Sequence, residues 1–128
     1  MHTLKGKRIA LLGLAYKPNT DDLREAPSLE VAEVLEKRGA QAVGYDPVAA
    51  EKASKLLPSL KCVLGPYEAL YGVHAAVLVT GWDQFRELNL ERAASLMKPP
   101  RLLVDGRNTI DSEAAALAGL LYRGFGRG

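Results

Sequence analysis

The segment Arg8-Ile9-Ala10-Leu11-Leu12-Gly13 decides how the chain is read. It is short, apolar without polar alternation, and closed by glycine. Those are the marks of a parallel strand buried on both faces. Downstream, Pro27 to Arg38 has helical spacing, with Leu29, Ala32 and Leu35 joined by Val31 and Val34 on one apolar face. Proline suits a first helical turn, Glu25 and Glu30 suit its positive end, and Gly39 is a helix stop.

The alternation then repeats. Strands are expected at Ala42–Tyr45, closed by Asp46-Pro47, at Lys61–Leu64 on an edge, at Ala75–Thr80, at Leu102–Asp105 and at Leu120–Tyr122. Helices are expected at Ala49–Leu57, Pro66–Tyr71, Leu90–Met97 and Ser112–Ala118. Strand–helix alternation of this kind predicts an α/β fold: a three-layer, Rossmann-like, doubly wound parallel sheet of about six strands. A length of 128 residues suits one domain over residues 1–128.

Composition removes several functional classes. A net charge of +2 comes with no basic run, which argues against nucleic acid as a partner. No apolar stretch approaches the roughly 20 residues of a membrane span, and the N-terminus lacks a signal-peptide core. One cysteine, Cys62, allows neither an internal disulfide nor a thiolate metal cluster, and fits a cytoplasmic setting.

In an open parallel sheet, ligands bind beyond the carboxyl ends of the strands, at the switch in strand order. Three segments meet that condition. The first is Gly13-Leu14-Ala15-Tyr16-Lys17-Pro18-Asn19-Thr20-Asp21-Asp22-Leu23-Arg24-Glu25-Ala26-Pro27, where a dinucleotide fold would carry Gly-x-Gly-x-x-Gly. That fingerprint is absent. Lys17 and Arg24 can meet anionic groups by charged hydrogen bonds, or can pair with Asp21, Asp22 and Glu25 on a solvated loop. The second is Val79-Thr80-Gly81-Trp82-Asp83-Gln84-Phe85, whose aromatics are read first as packing and second as a base-stacking platform. The third is Val104-Asp105-Gly106-Arg107-Asn108. Arg107 has the fork geometry for phosphate or carboxylate, although in isolation an Asp105–Arg107 structural pair is the better explanation.

Together these segments, with Tyr45-Asp46-Pro47 and the closing Tyr122-Arg123-Gly124-Phe125-Gly126-Arg127-Gly128, resemble the C-terminal domain of the UDP-glucose/GDP-mannose dehydrogenase family over nearly the whole chain. The resemblance implies an enzyme of three parts: an N-terminal NAD-binding domain, a central helical domain through which the whole enzyme forms a homo-oligomer, and this domain. It implies NAD as cofactor, held mainly by the first part. It also implies two-step oxidation of a nucleotide sugar's C6 alcohol through a covalent thiohemiacetal on a cysteine of the central part. The chain is accordingly expected to be a piece of a longer protein and inactive alone. Carried over by position, Tyr16, Lys17 and Arg107 would contact the UDP-sugar, and Arg24 would reach NAD. Cys62 matches no motif and is read as a small packing residue.

Thr80-x-Trp82 with Phe85, and Asp105-Gly106-Arg107-Asn108, look most like the UDP-glucose branch. Gly81 departs from the acidic residue often found there, which leaves GDP-mannose or an N-acetylated UDP-sugar as alternatives. Two rival readings keep the fold and drop the chemistry: a stand-alone nucleotide-binding or regulatory module, and a structural interaction domain. Arg24 counts against both, because its family role requires an NAD domain opposite.

Overall fold

In a computed structural model, residues 5–14, 27–58, 60–79, 83–106 and 110–124 are described. Six strands form one parallel sheet among them: β1 (Arg8–Leu12), β2 (Gln41–Tyr45), β3 (Lys61–Cys62), β4 (Ala75–Leu78), β5 (Leu102–Asp105) and β6 (Leu121–Gly124). The helices are α1 (Pro27–Lys37), α2 (Ala50–Leu56), α3 (Pro66–Leu70), α4 (Asp83–Arg86), α5 (Leu90–Leu96) and α6 (Ser112–Ala118). The spatial order β3-β2-β1-β4-β5-β6 is the doubly wound order anticipated above. Chain direction reverses its march between β1 and β4, where Ile9 pairs Ala42 on one side and Ala75 on the other.

Both faces of the sheet are buried, and the apolar run of β1 divides between them residue by residue. Ile9 and Leu11 join Ala32 and Leu35 of α1 and Ala53 of α2. Ala10 and Leu12 join Ala69 and Leu70 of α3, Ala93 and Ala94 of α5, and Ala115 of α6. A central strand with water on neither side has no reason to alternate, and this one does not. Small residues bring the layers close. At Gly44 of β2, an added Cβ would stand 3.2 Å from Leu14 and 3.3 Å from Leu60.

Several boundaries differ from expectation, each for a local reason. Val34 does not share the buried face of α1 and is 50% exposed. At 3.6 residues per turn it lies roughly 160° around the helix from Ala32. The strand expected at Lys61–Leu64 stops at Cys62, since the Val63 N–H makes a last bond to the Gly44 carbonyl and Pro66 starts α3. Leu64 is left in solvent. The strand expected at Ala75–Thr80 ends as β4 at Leu78, although the Val79 N–H still reaches the Leu12 carbonyl at 2.9 Å. The last strand starts at Leu121 because Gly119 ends α6 in the left-handed region, at φ 100°, and Leu120 still donates back to Ala115. Helix α4 was not foreseen. Its Phe85 is fully buried and meets Tyr45 edge-on, with centroids 6.2 Å apart. Phe85 is therefore the packing residue expected; Trp82 lies outside the described residues.

Gly44→Val tests the closeness of the layers. Overpacking against Leu14 and Leu60 is expected to lower stability by about 1–3 kcal/mol in urea denaturation. A variant as stable as the parent would show that this contact gives way freely.

Candidate functional site

The carboxyl ends of β1, β4 and β5 lie side by side, since these strands are neighbours in the sheet. With strands about 4.8 Å apart, the roots of the loops following β1 and β5 are separated by roughly 10 Å. Tyr16, Lys17, Arg24 and Arg107 themselves fall outside the described residues. The described residues show how the loops that carry them are rooted.

The first root is built on Asp46, which ends β2 and is 4% exposed. Its Oδ2 accepts the Leu14 N–H at 2.7 Å, and its Oδ1 accepts those of Val48 and Ala49, each at 2.8 Å. Gly13, at φ 89°, turns the chain off β1 in a conformation that favours glycine, and its N–H donates to the Tyr45 carbonyl at 2.7 Å. The other end of the loop returns to the same point. Ser28, fully buried in the first turn of α1, donates its hydroxyl proton to the Leu14 carbonyl. The segment holding Tyr16, Lys17 and Arg24 is thus closed at its base.

The second root repeats the device with Asp105, the last residue of β5 and fully buried. Its Oδ2 accepts the Ile110 N–H at 2.7 Å and the Tyr122 hydroxyl at 2.9 Å. Gly106 donates to the Leu78 carbonyl at 3.1 Å, which fixes the departure of the loop from β4's end. Arg107 stands between two points tied to one carboxylate. Asp105 thus braces the loop and β6; the Asp105–Arg107 pair read from the sequence falls on a residue outside the described ones. Asp46 had been read as the close of a strand and as part of the Tyr45-Asp46-Pro47 motif, with no bracing role. The available signal was an aspartate at the carboxyl end of two of the strands, β2 and β5, where a buried charge must find donors.

Cys62 sits at the β3 edge, half-buried against the cluster under α1 and α2. Burial pushes its thiol above the ordinary cysteine value, so it stays protonated at neutral pH. That agrees with a packing role and not with a nucleophile. Among the described residues, no group of three or more His, Cys, Asp or Glu is placed to hold a metal, and no helix is long and apolar enough to cross a membrane.

Asp46→Asn separates bracing from simple space filling. An amide offers one acceptor oxygen where the carboxylate offers two, so a backbone N–H is left unmatched in a buried site. The expected cost is about 1–3 kcal/mol in denaturant, with faster hydrogen exchange at the Leu14 amide. Unchanged exchange there would remove Asp46 from the loop's support.

Comparison with known proteins fits this geometry. Residues 10–112 match the model of the UDP-glucose/GDP-mannose dehydrogenase family, UDP binding domain. The chain is 44% identical to a UDP-glucose 6-dehydrogenase of Rhizobium meliloti over 97% of its own length and 28% of that protein's. It is similar in structure to a UDP-glucose dehydrogenase from Pyrobaculum islandicum, with a TM-score of 0.78 and 35% identity over 95% of this chain and 26% of that one. An NDP-N-acetyl-D-galactosaminuronic acid dehydrogenase from Methanosarcina mazei gives a TM-score of 0.84 and 25% identity, covering 98% of this chain and 26% of the other. The chain therefore spans little more than a quarter of the proteins it matches. By that match it belongs to the UDP-glucose/GDP-mannose dehydrogenase family, as its UDP binding domain.

Proposed function

We propose that the chain is a single domain, the C-terminal, nucleotide-sugar-binding part of an NAD-dependent dehydrogenase that oxidises UDP-glucose to UDP-glucuronate in the cytoplasm. One observation carries the proposal: the loops bearing Lys17 and Arg107 leave the sheet from the carboxyl ends of β1 and β5, on either side of β4, with roots roughly 10 Å apart. In this reading Lys17 neutralises the anionic part of the nucleotide sugar, Tyr16 packs beside it, and Arg107 forks onto its oxygens. The cost of ordering those side chains is reduced by loops already tied at their bases.

NAD would be held elsewhere. The β1 turn does not carry the dinucleotide fingerprint, because Gly13 is followed by Leu14-Ala15-Tyr16-Lys17-Pro18 and the further glycines that allow close backbone approach to a pyrophosphate are missing. Arg24 is the one residue assigned to that cofactor, reaching across to it from the loop. The remaining domains supply the reacting cysteine and the rest of the NAD site, and the assembled enzyme is a homo-oligomer through its central part. The names of the relatives support UDP-glucose as the sugar nucleotide.

Titration of the chain with UDP, followed by amide chemical shifts, is expected to perturb Gly13, Leu14, Val79, Gly106 and Ile110 at the carboxyl edge. Arg107→Ala or Lys17→Ala should weaken that binding about ten- to a hundred-fold, the worth of one charged hydrogen bond. Binding that is unchanged in both variants would overturn the assignment.

A further inference from the structure

The opposite end of the sheet holds a cluster of basic side chains that the nucleotide site does not use. Lys7 and Arg8 enter β1 there, His74 precedes β4, and Lys98 lies in the turn before β5. The backbone binds them into one surface. His74 donates its N–H to the Arg8 carbonyl at 2.9 Å, Lys98 donates to the Val73 carbonyl at 2.8 Å, and Leu102 donates to the His74 carbonyl at 3.2 Å. The His74 ring is fixed as well. Its Nδ1 accepts the Arg8 N–H at 3.2 Å, leaving Nε2 to carry the proton of the neutral ring.

Two features set this cluster apart from an ordinary solvated charge group. First, the buried Nε–H of Arg8 has no acceptor among the described residues, and the guanidinium lies under Gly72, whose absent Cβ would stand 3.3 Å from Nη1. A buried guanidinium N–H without an acceptor is costly and is rarely kept without a reason. Second, like charges meet here, for the charges acting on the His74 ring are those of Lys7, Lys98 and Arg8. Burial and then the charges of Lys7, Lys98 and Arg8 hold His74 below its ordinary value. Arg101 is close in sequence but committed, since its Nε donates to the Ala94 carbonyl at 3.0 Å and caps α5.

We propose that Lys7, Arg8, His74 and Lys98 form a second anion site, at the amino ends of β1, β4 and β5, that takes a small doubly charged oxyanion of the phosphate class. Such an ion would relieve the mutual repulsion of Lys7, Arg8 and Lys98 and accept from His74 Nε2. The site lies across the full length of the strands from the nucleotide rim, and its occupancy is independent of whether that rim binds UDP.

The probe is inorganic phosphate added to the chain, against sodium chloride at matched ionic strength, with His74 ring shifts followed through a pH titration. Phosphate is expected to raise the His74 value above that in the chloride control, because a nearby anion favours the charged ring. The amides of Arg8, His74 and Lys98 should shift with it. Lys98→Ala, on an exposed turn, should weaken phosphate about fivefold while leaving the fold intact. Equal movement of His74 in phosphate and chloride would mean screening alone and would overturn the proposal. So would phosphate shifts that Lys98→Ala and Lys7→Ala both leave unchanged.

Discussion

A parallel sheet covered on both faces has no room for charge except at its two ends, and this constraint orders the rest of the molecule. Every residue of β1 after Arg8 is buried, with alternate side chains serving opposite layers. Polar groups are therefore driven to the strand termini, where backbone donors and acceptors are also left without ladder partners. The carboxyl end meets this with two aspartates that gather N–H groups from the departing loops. The amino end carries lysines, an arginine and a histidine. The two rims thus have different chemistry on one scaffold: buried acids as internal braces at one end, cations facing outward at the other.

The braces matter because of what they hold. A long polar loop would lose much of the binding energy of its side chains to ordering if it began free. Asp46 and Ser28 bring its two ends to the same residue, Leu14, and Asp105 does the same for the short loop after β5. Tyr122 extends that second brace to the edge strand, so β6 contributes to the rim although it stands outside it.

Most of the architecture was legible because it is written in local signals. The apolar runs at Arg8–Leu12 and Leu102–Asp105, and Gly39 after α1, made the strands and their alternation with helices readable. Errors came where tertiary context overrides a run of apolar letters. Leu120 reads as strand but completes the helix cap before it, and Val34 reads as core but faces water. The short α4 turn depends on Phe85 finding Tyr45 across the sheet, a contact between distant residues that no window of sequence contains. The site was legible as motif and not as mechanism. Lys17 and Arg107 stand out as unusual residues after strands, whereas Asp46 and Asp105 look like ordinary strand ends until their donors are seen.

The closure at Leu14 and Ser28 has a consequence for how such a protein changes over time. Because both ends of the loop terminate on one hydrogen-bonded knot, its interior can be lengthened, shortened or rewritten while the sheet beneath keeps the same hydrogen bonds. The entropy of closing a longer segment rises only slowly with its length. A lineage could thus retune which ligand it accepts by editing the segment inside the knot, with the folding of the scaffold insulated from the experiment.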